Sequence, residues 1–322
     1  MTDEAKAAPE KRPVPKMRNW RIGAVVAIGL YLWSVHAIMG IRGEHLFLGG
    51  LTFVFAVIGG RPFRFTAFFS PVMFTGITYE YFRLLKGIRL EVHVADLYQA
   101  ELNWFGVGEG ASRQVLADWF LSYTHPALDL ICGLVYILYI FVPIGFSIFL
   151  FFVNEERMLH VGLAFLLTNL IGMTIYVLYP AAPPWYVAEY GLGPAQMDVL
   201  PNAAGTVRFD QLLGIDYFTT FYARSANVFG AMPSLHVAYP MSSAIAVAGM
   251  GKKWWMPVAV FVLVVGFAAV YLQHHYVWDI VVGAVVGAAG GLLAGFVVKR
   301  WGPGRSRDRA VDPNQAQEAA LA

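Results

Sequence analysis

Two uninterrupted apolar runs, Val258 to Leu272 and Ile280 to Val298, limit this chain more than any other feature. A helix needs about 20 mostly apolar residues to cross roughly 30 Å of hydrocarbon, and these runs approach or reach that length. They are continuous, without the two-residue alternation of a transmembrane barrel, which excludes that class. Composition agrees: 58% of the 322 residues are hydrophobic and 14% are charged, against about a quarter charged in soluble domains. The expected fold class is all-α, a polytopic transmembrane helical bundle with about six to eight spans.

Eight candidate spans follow: Ile22 to Ile41, His45 to Gly60, Phe65 to Leu85, Pro126 to Phe152, Leu159 to Tyr179, Pro233 to Met250, Trp255 to Leu272 and Asp279 to Val298. The third is weakened by Pro71 and Glu80. Lys16, Arg18 and Arg21 precede the first, and no cleavage pattern follows it, so it is expected to be a retained helix and not a removed leader. Residues 1–19 and 299–322 are polar and read as disordered tails around a single integral-membrane domain, 20–298. Within it, 86–125 reads as an interfacial segment with short helices whose apolar positions include Leu97, Trp104 and Phe120.

Alternating the connections between two faces puts sixteen of the 23 Lys and Arg on the side of both tails. The positive-inside bias makes that side, with both termini, cytoplasmic. The single cysteine, Cys132, excludes an internal disulfide or thiolate cluster. A net charge of +2 gives no basic footprint, and no nucleic-acid partner is expected.

Three polar clusters share the extracytoplasmic face: PAAPPWY at Pro180 to Tyr186, GAMPSLH at Gly230 to His236 and QHHYVWD at Gln273 to Asp279. Ionisable groups near membrane depth are costly, so function is their default reading. His275 and Asp279 stand four apart, which on a helix lets the carboxylate orient one imidazole nitrogen and free the other; a plain helix-surface contact is the alternative. Pro233 suits the first position of a helix that would hold His236 in its first turn, with an anion favoured at the free amides and Ser234 adding a hydroxyl. His274 reads as a packing or supporting residue. No HExxH pattern or paired-glutamate spacing is present, which argues against metal.

At GAMPSLH and HHYVWD the chain resembles the type 2 phosphatidic acid phosphatase (PAP2) superfamily, and within it the inositol phosphorylceramide synthases of fungal type and their bacterial relatives. The likeness also takes in APPWY at Ala182 to Tyr186, VRFD at Val207 to Asp210, YFTTFY at Tyr217 to Tyr222, VHVADLY at Val92 to Tyr98 and HPALDLICGLVY at His125 to Tyr136. It implies a PAP2-like core over 126–298, His275 as a nucleophile forming a phosphohistidine, Asp279 orienting it, His236 as acid and base, and no cofactor. The family's second-motif glycine is replaced by Leu235, its third-motif Ser-Arg pair by Ala269 and Val270, and its first-motif cations are missing. Arg208 and Arg224 are the arginines left in the loop before His236 to hold phosphate, with a loop charge paired to Asp210 the other reading of Arg208. Trp185 and Tyr186 could line a sugar or acyl site or belong to an interfacial belt. The expected activity is transfer of an inositol-phosphate-type head group from a phospholipid donor to a lipid alcohol such as ceramide, on the periplasmic face of a bacterial inner membrane. The alternatives are a lipid phosphate phosphatase of the same superfamily and a noncatalytic transporter or lipid-binding protein. Oligomeric state is not legible in the sequence.

Overall fold

The computed structural model describes residues 17–85, 88, 90–223 and 227–302. Apart from residues 17–19 and 299–302, the expected tails lie outside the described residues, as does Arg224. Thirteen α-helices occur among those described: α1 (Met17–Ile38), α2 (Gly43–Ile58), α3 (Gly60–Tyr81), α4 (Ala95–Phe105), α5 (Leu116–Leu121), α6 (Pro126–Val153), α7 (Glu155–Leu178), α8 (Pro184–Tyr190), α9 (Val207–Leu213), α10 (Tyr217–Ala223), α11 (Leu235–Val247), α12 (Lys252–Tyr271) and α13 (Val277–Trp301). Helices α1, α6, α7, α12 and α13 are long and apolar enough to cross a membrane, and the apolar stretches Gly43–Ile58 and Leu235–Met250 are shorter. The protein is an integral membrane helical bundle. Helix α3 begins at Gly60, not Phe65, because Gly59 and Gly60 take φ of 73° and 56° and turn the chain directly out of α2.

The chain divides at Phe68/Phe69 into two compact units. In the first, α1 packs on α2, where a side chain at Gly49 would press on Leu32. Arg21 donates to the carbonyls of Ala56 and Val57, the cation sitting at the C-terminal end of α2.

In the second unit α11 is central, packed on α6, α7, α12 and α13. Its contact with α13 explains the glycines at four-residue spacing. A methyl at Gly283 would lie 2.5 Å from the Ser234 carbonyl, one at Gly291 2.8 Å from Ile245 Cβ, and one at Gly287 would strike the Ala238 carbonyl. Deeper, Tyr239 of α11 donates to Asn169 of α7 at 2.6 Å, and Asn169 donates to Thr78 of α3 at 2.9 Å. A buried amide so satisfied fixes three helices without leaving a polar group in hydrocarbon.

Short elements at the helix ends gather the polar clusters. Ala181 forms parallel bridges with both His93 and Gly230, which seats PAAPPWY between the VHVADLY segment and GAMPSLH. Trp185 N–H donates to the Gln273 carbonyl at 3.2 Å and ties the same loop to QHHYVWD. These backbone bonds saturate chain that has no helix to satisfy it.

Candidate active site

The site lies where α11 and α13 begin. Ser234 stands at the N-cap position of α11 without a side-chain capping bond, and the helix starts at Leu235, two residues after the expected Pro233. His236 is still in the first turn, and Pro233 carbonyl oxygen accepts from Tyr176 Oη at 2.9 Å. Tyr276 caps α13, which starts at Val277, so His275 precedes the helix. The spacing argument for His275 and Asp279 therefore needs correction: they meet through a capping turn and not across a helix face. After α12, Gln273 adopts φ 62°, and the amides of His274 and His275 both donate to the Ala269 carbonyl. That reversal aims His275 back toward α13.

His275 Nδ1 lies 3.4 Å from Asp279 Oδ2, close enough for an ion-pair contact though not aligned as a hydrogen bond. Asp279 Oδ2 also accepts the Tyr276 amide at 2.8 Å, which holds the carboxylate in place. On its other side, His275 Nε2 stands 3.1 Å from His236 Nδ1. The result is a chain of Asp279, His275 and His236, the first two nearly enclosed by protein. A proton on His275 Nδ1, the nitrogen nearest the carboxylate, leaves the lone pair on Nε2, on the side of His236.

Two tyrosines of α6, to which the motifs assign no role, surround His236. Tyr136 stacks on its ring at 4.1 Å with Oη 3.3 Å from Nδ1, and Tyr139 lies against it at 4.1 Å. Tyr222 donates to Tyr136 at 3.4 Å. His274 is sandwiched against Tyr222 and Tyr136, and its Nε2 pairs with the Ala203 carbonyl at 3.1 Å. Burial, and then the neighbouring His275, lower the His274 pKa to about 3, so it is a neutral donor.

His236, His274, His275 and Trp185 line a cavity of about 350 Å³. It also takes in tyrosines 79, 136, 139 and 222, and extends along Val72 and Gly76 of α3 and Ile140 and Ile144 of α6. One end is aromatic and polar, the other hydrocarbon.

The remaining expected residues are placed as follows. Arg208 does not line this cavity; its Nε donates to Asp129 Oδ1 at 2.6 Å, where Tyr271 Oη donates at 2.8 Å, and the guanidinium lies over the Tyr271 ring. The pairing with Asp210 does not occur, because Asp210 caps α10 by accepting from the amides of Phe218 and Thr219. Arg208 Nη2 is buried with no protein partner. Ser234 is fully buried; its Oγ is unpartnered and its amide donates to the Asp279 carbonyl at 3.0 Å. Tyr186 turns away from the cavity to accept from Gln196 N–H at 2.8 Å.

The PAP2 superfamily model matches residues 110–293. A phosphoinositol dihydroceramide synthase of Bacteroides thetaiotaomicron is 35% identical over 264 residues, 80% of this chain and 86% of that protein. An inositol phosphorylceramide synthase of Candida albicans is 33% identical over 173 residues, 53% of this chain and 37% of that protein. The catalytic subunit of the same synthase from Saccharomyces cerevisiae is 36% identical over 118 residues, covering 37% and 29%. No solved structure gives a significant match. Helical membrane architecture, the matched span and a relative aligned over most of both chains agree that this chain belongs to the PAP2 superfamily.

Proposed function

We propose that this PAP2-superfamily phosphotransferase moves an inositol-phosphate head group from phosphatidylinositol to ceramide or a similar lipid alcohol, through a phosphohistidine on His275. The observation that carries this reading is the Asp279, His275 and His236 chain opening into a cavity with a polar end and a hydrocarbon end. Nε2 of His275 attacks phosphorus while the bond from phosphorus to the diacylglycerol oxygen breaks, and His236 protonates the departing oxygen. Asp279 stabilises the charge that develops on His275. In the second half, His236 takes the proton of the incoming hydroxyl, the new oxygen bonds to phosphorus, and the bond to His275 breaks. Arg224 is the proposed phosphate donor, Arg208 and Ser234 support the site from outside the cavity through Asp129 and the Asp279 carbonyl, and Trp185 packs beside the head group. His274 buttresses the rings as a neutral donor, and Tyr186 braces the loop that carries Trp185.

We place 126–298 as the catalytic core with 86–125 beside it, the termini in the cytoplasm and the site on the periplasmic face, in keeping with the charge bias of the loops.

The test uses purified protein with inositol-labelled phosphatidylinositol, with and without ceramide. A labelled lipid formed only with ceramide, and lost by about 10²-fold or more in both His275→Ala and His236→Ala, is expected. Water-soluble inositol phosphate formed regardless of ceramide would make the protein a hydrolase instead.

A further inference from the structure

The first turn of α13 holds a second carboxylate that the reaction above does not use. Glu101, on α4, is fully buried. Its Oε1 accepts the Val277 amide at 2.9 Å and its Oε2 the Trp278 amide at 3.1 Å, from a position 176 residues earlier in the chain. These amides are among those a helix start leaves without an intrahelical acceptor. The next one back, Tyr276 N–H, goes to Asp279 Oδ2. Both carboxylates thus occupy the anion seat at this helix end.

The same turn reaches the other catalytic helix. Asp279 carbonyl accepts the amide of Ser234, the N-cap-position residue of α11 two positions before His236. Edge-on packing of Trp104 and Phe105 against Trp278, at 5.7 and 5.5 Å, presses α4 onto α13. Burial, reinforced by the charge of Asp279, pushes the Glu101 carboxyl up to about 7 against the effect of its two amide bonds. Such a carboxyl is costly to bury, and two amide bonds at the positive end of a helix offset part of that cost.

We propose that Glu101 is a positioning residue of the active site: by accepting the Val277 and Trp278 amide protons it fixes the turn that sets Asp279 against His275 and, through Asp279 and Ser234, sets His236 against His275. This rests on the histidine chemistry proposed above.

The test is a double-mutant cycle in the full-length protein. Glu101→Gln preserves shape but turns an NH2 group toward a backbone N–H. Val277→Pro removes one of those N–H groups at the first helical position, where proline fits, and Tyr276 already has the extended backbone (φ −81°, ψ 164°) required before proline. In the double variant the glutamine oxygen turns to Trp278 and its NH2 to the vacated side. Two readouts are taken: deuterium exchange of the 276–280 backbone, and kcat and KM on phosphatidylinositol, or on phosphatidate if the wild type accepts only that. Glu101→Gln is expected to speed exchange in this segment and lower kcat about tenfold with KM within about twofold. The double variant should recover much of the lost kcat. Unchanged exchange, a wild-type kcat, a loss confined to KM, or additive losses would each overturn the proposal. Should Glu101→Gln fail to fold, Val277→Pro alone deletes one bond, and an unchanged kcat then overturns it. A wild type active on phosphatidate alone would overturn the head-group assignment and leave this test intact.

Discussion

Arg208→Ala isolates the ion pair with Asp129. Asp129 is 5% exposed on α6, and the substitution leaves it with the Tyr271 hydroxyl but no counter-charge. Removing one partner of a buried pair costs about 3–5 kcal/mol, whereas replacing both by apolar groups is often near neutral. The Arg208 side chain is 23% exposed, which favours the lower end, about 3 kcal/mol, through partial screening. At about 2–4 °C per kcal/mol for a protein of this size, the unfolding midpoint should fall by roughly 6–12 °C. Asp129→Ala should fall comparably through the unpaired guanidinium, and the double variant should lie well above the sum of the two losses. Thermal unfolding of the four proteins in one detergent, followed by tryptophan fluorescence, gives the coupling directly. If Arg208→Ala melts within a degree or two of the wild type, or the losses simply add, the pair does not brace α6 against α9. Its kinetic effect is a separate question, and Arg208→Lys, which retains charge but not the fork, addresses it through KM for the donor.

Three further outcomes follow from the geometry. Because folded His274 resists protonation until about pH 3 while an unfolded histidine takes a proton near 6.5, its share of stability is intact above pH 6.5 and lost as pH falls toward 3; His274→Phe should flatten the melting profile in that window, and an unchanged acid slope would contradict its neutral burial. Gly287→Ala drives a methyl into the Ala238 carbonyl and should cost about 1–3 kcal/mol, while Gly193→Ala, in open space, should leave the midpoint unmoved. Gly76 lines the cavity and a Cβ added there meets nothing within 4 Å; Gly76→Phe is expected to intrude on the cavity and cut kcat/KM for long-chain lipids about tenfold or more while sparing dioctanoyl analogues, and equal losses for both chain lengths would argue against a lipid tail lying there.

The histidine chain was legible because its parts sit in short motifs whose loops fall on one face by helix parity. Motif spacing did not show how they meet, since the contact of His275 with Asp279 depends on a helix that starts at Val277 and a reversal at Gln273. The tyrosines of α6 were hidden for another reason: in an apolar span, Tyr136 facing a cavity and a tyrosine facing lipid have the same local pattern. Asp210 was the alternative partner for Arg208, but residues two apart on a helix face opposite sides, which sends Asp210 to α10 and Arg208 to Asp129 of α6. Glu101 is harder still, because its partners are backbone amides and leave no side-chain signature.

The hydrocarbon end of the cavity bears on how substrate arrives. From Tyr136 to Ile144 its wall runs about 12 Å along α6, close to the roughly 15 Å of one leaflet. A lipid whose phosphate meets the histidines lays its chain along this apolar wall, so the roughly 0.8 kcal/mol per methylene needed to draw it into water does not enter the barrier. Supply is then two-dimensional, and occupancy follows the mole fraction of lipid in the membrane. Inert detergent added at constant bulk lipid will slow turnover by surface dilution, just as crowding the leaflet with substrate will saturate it.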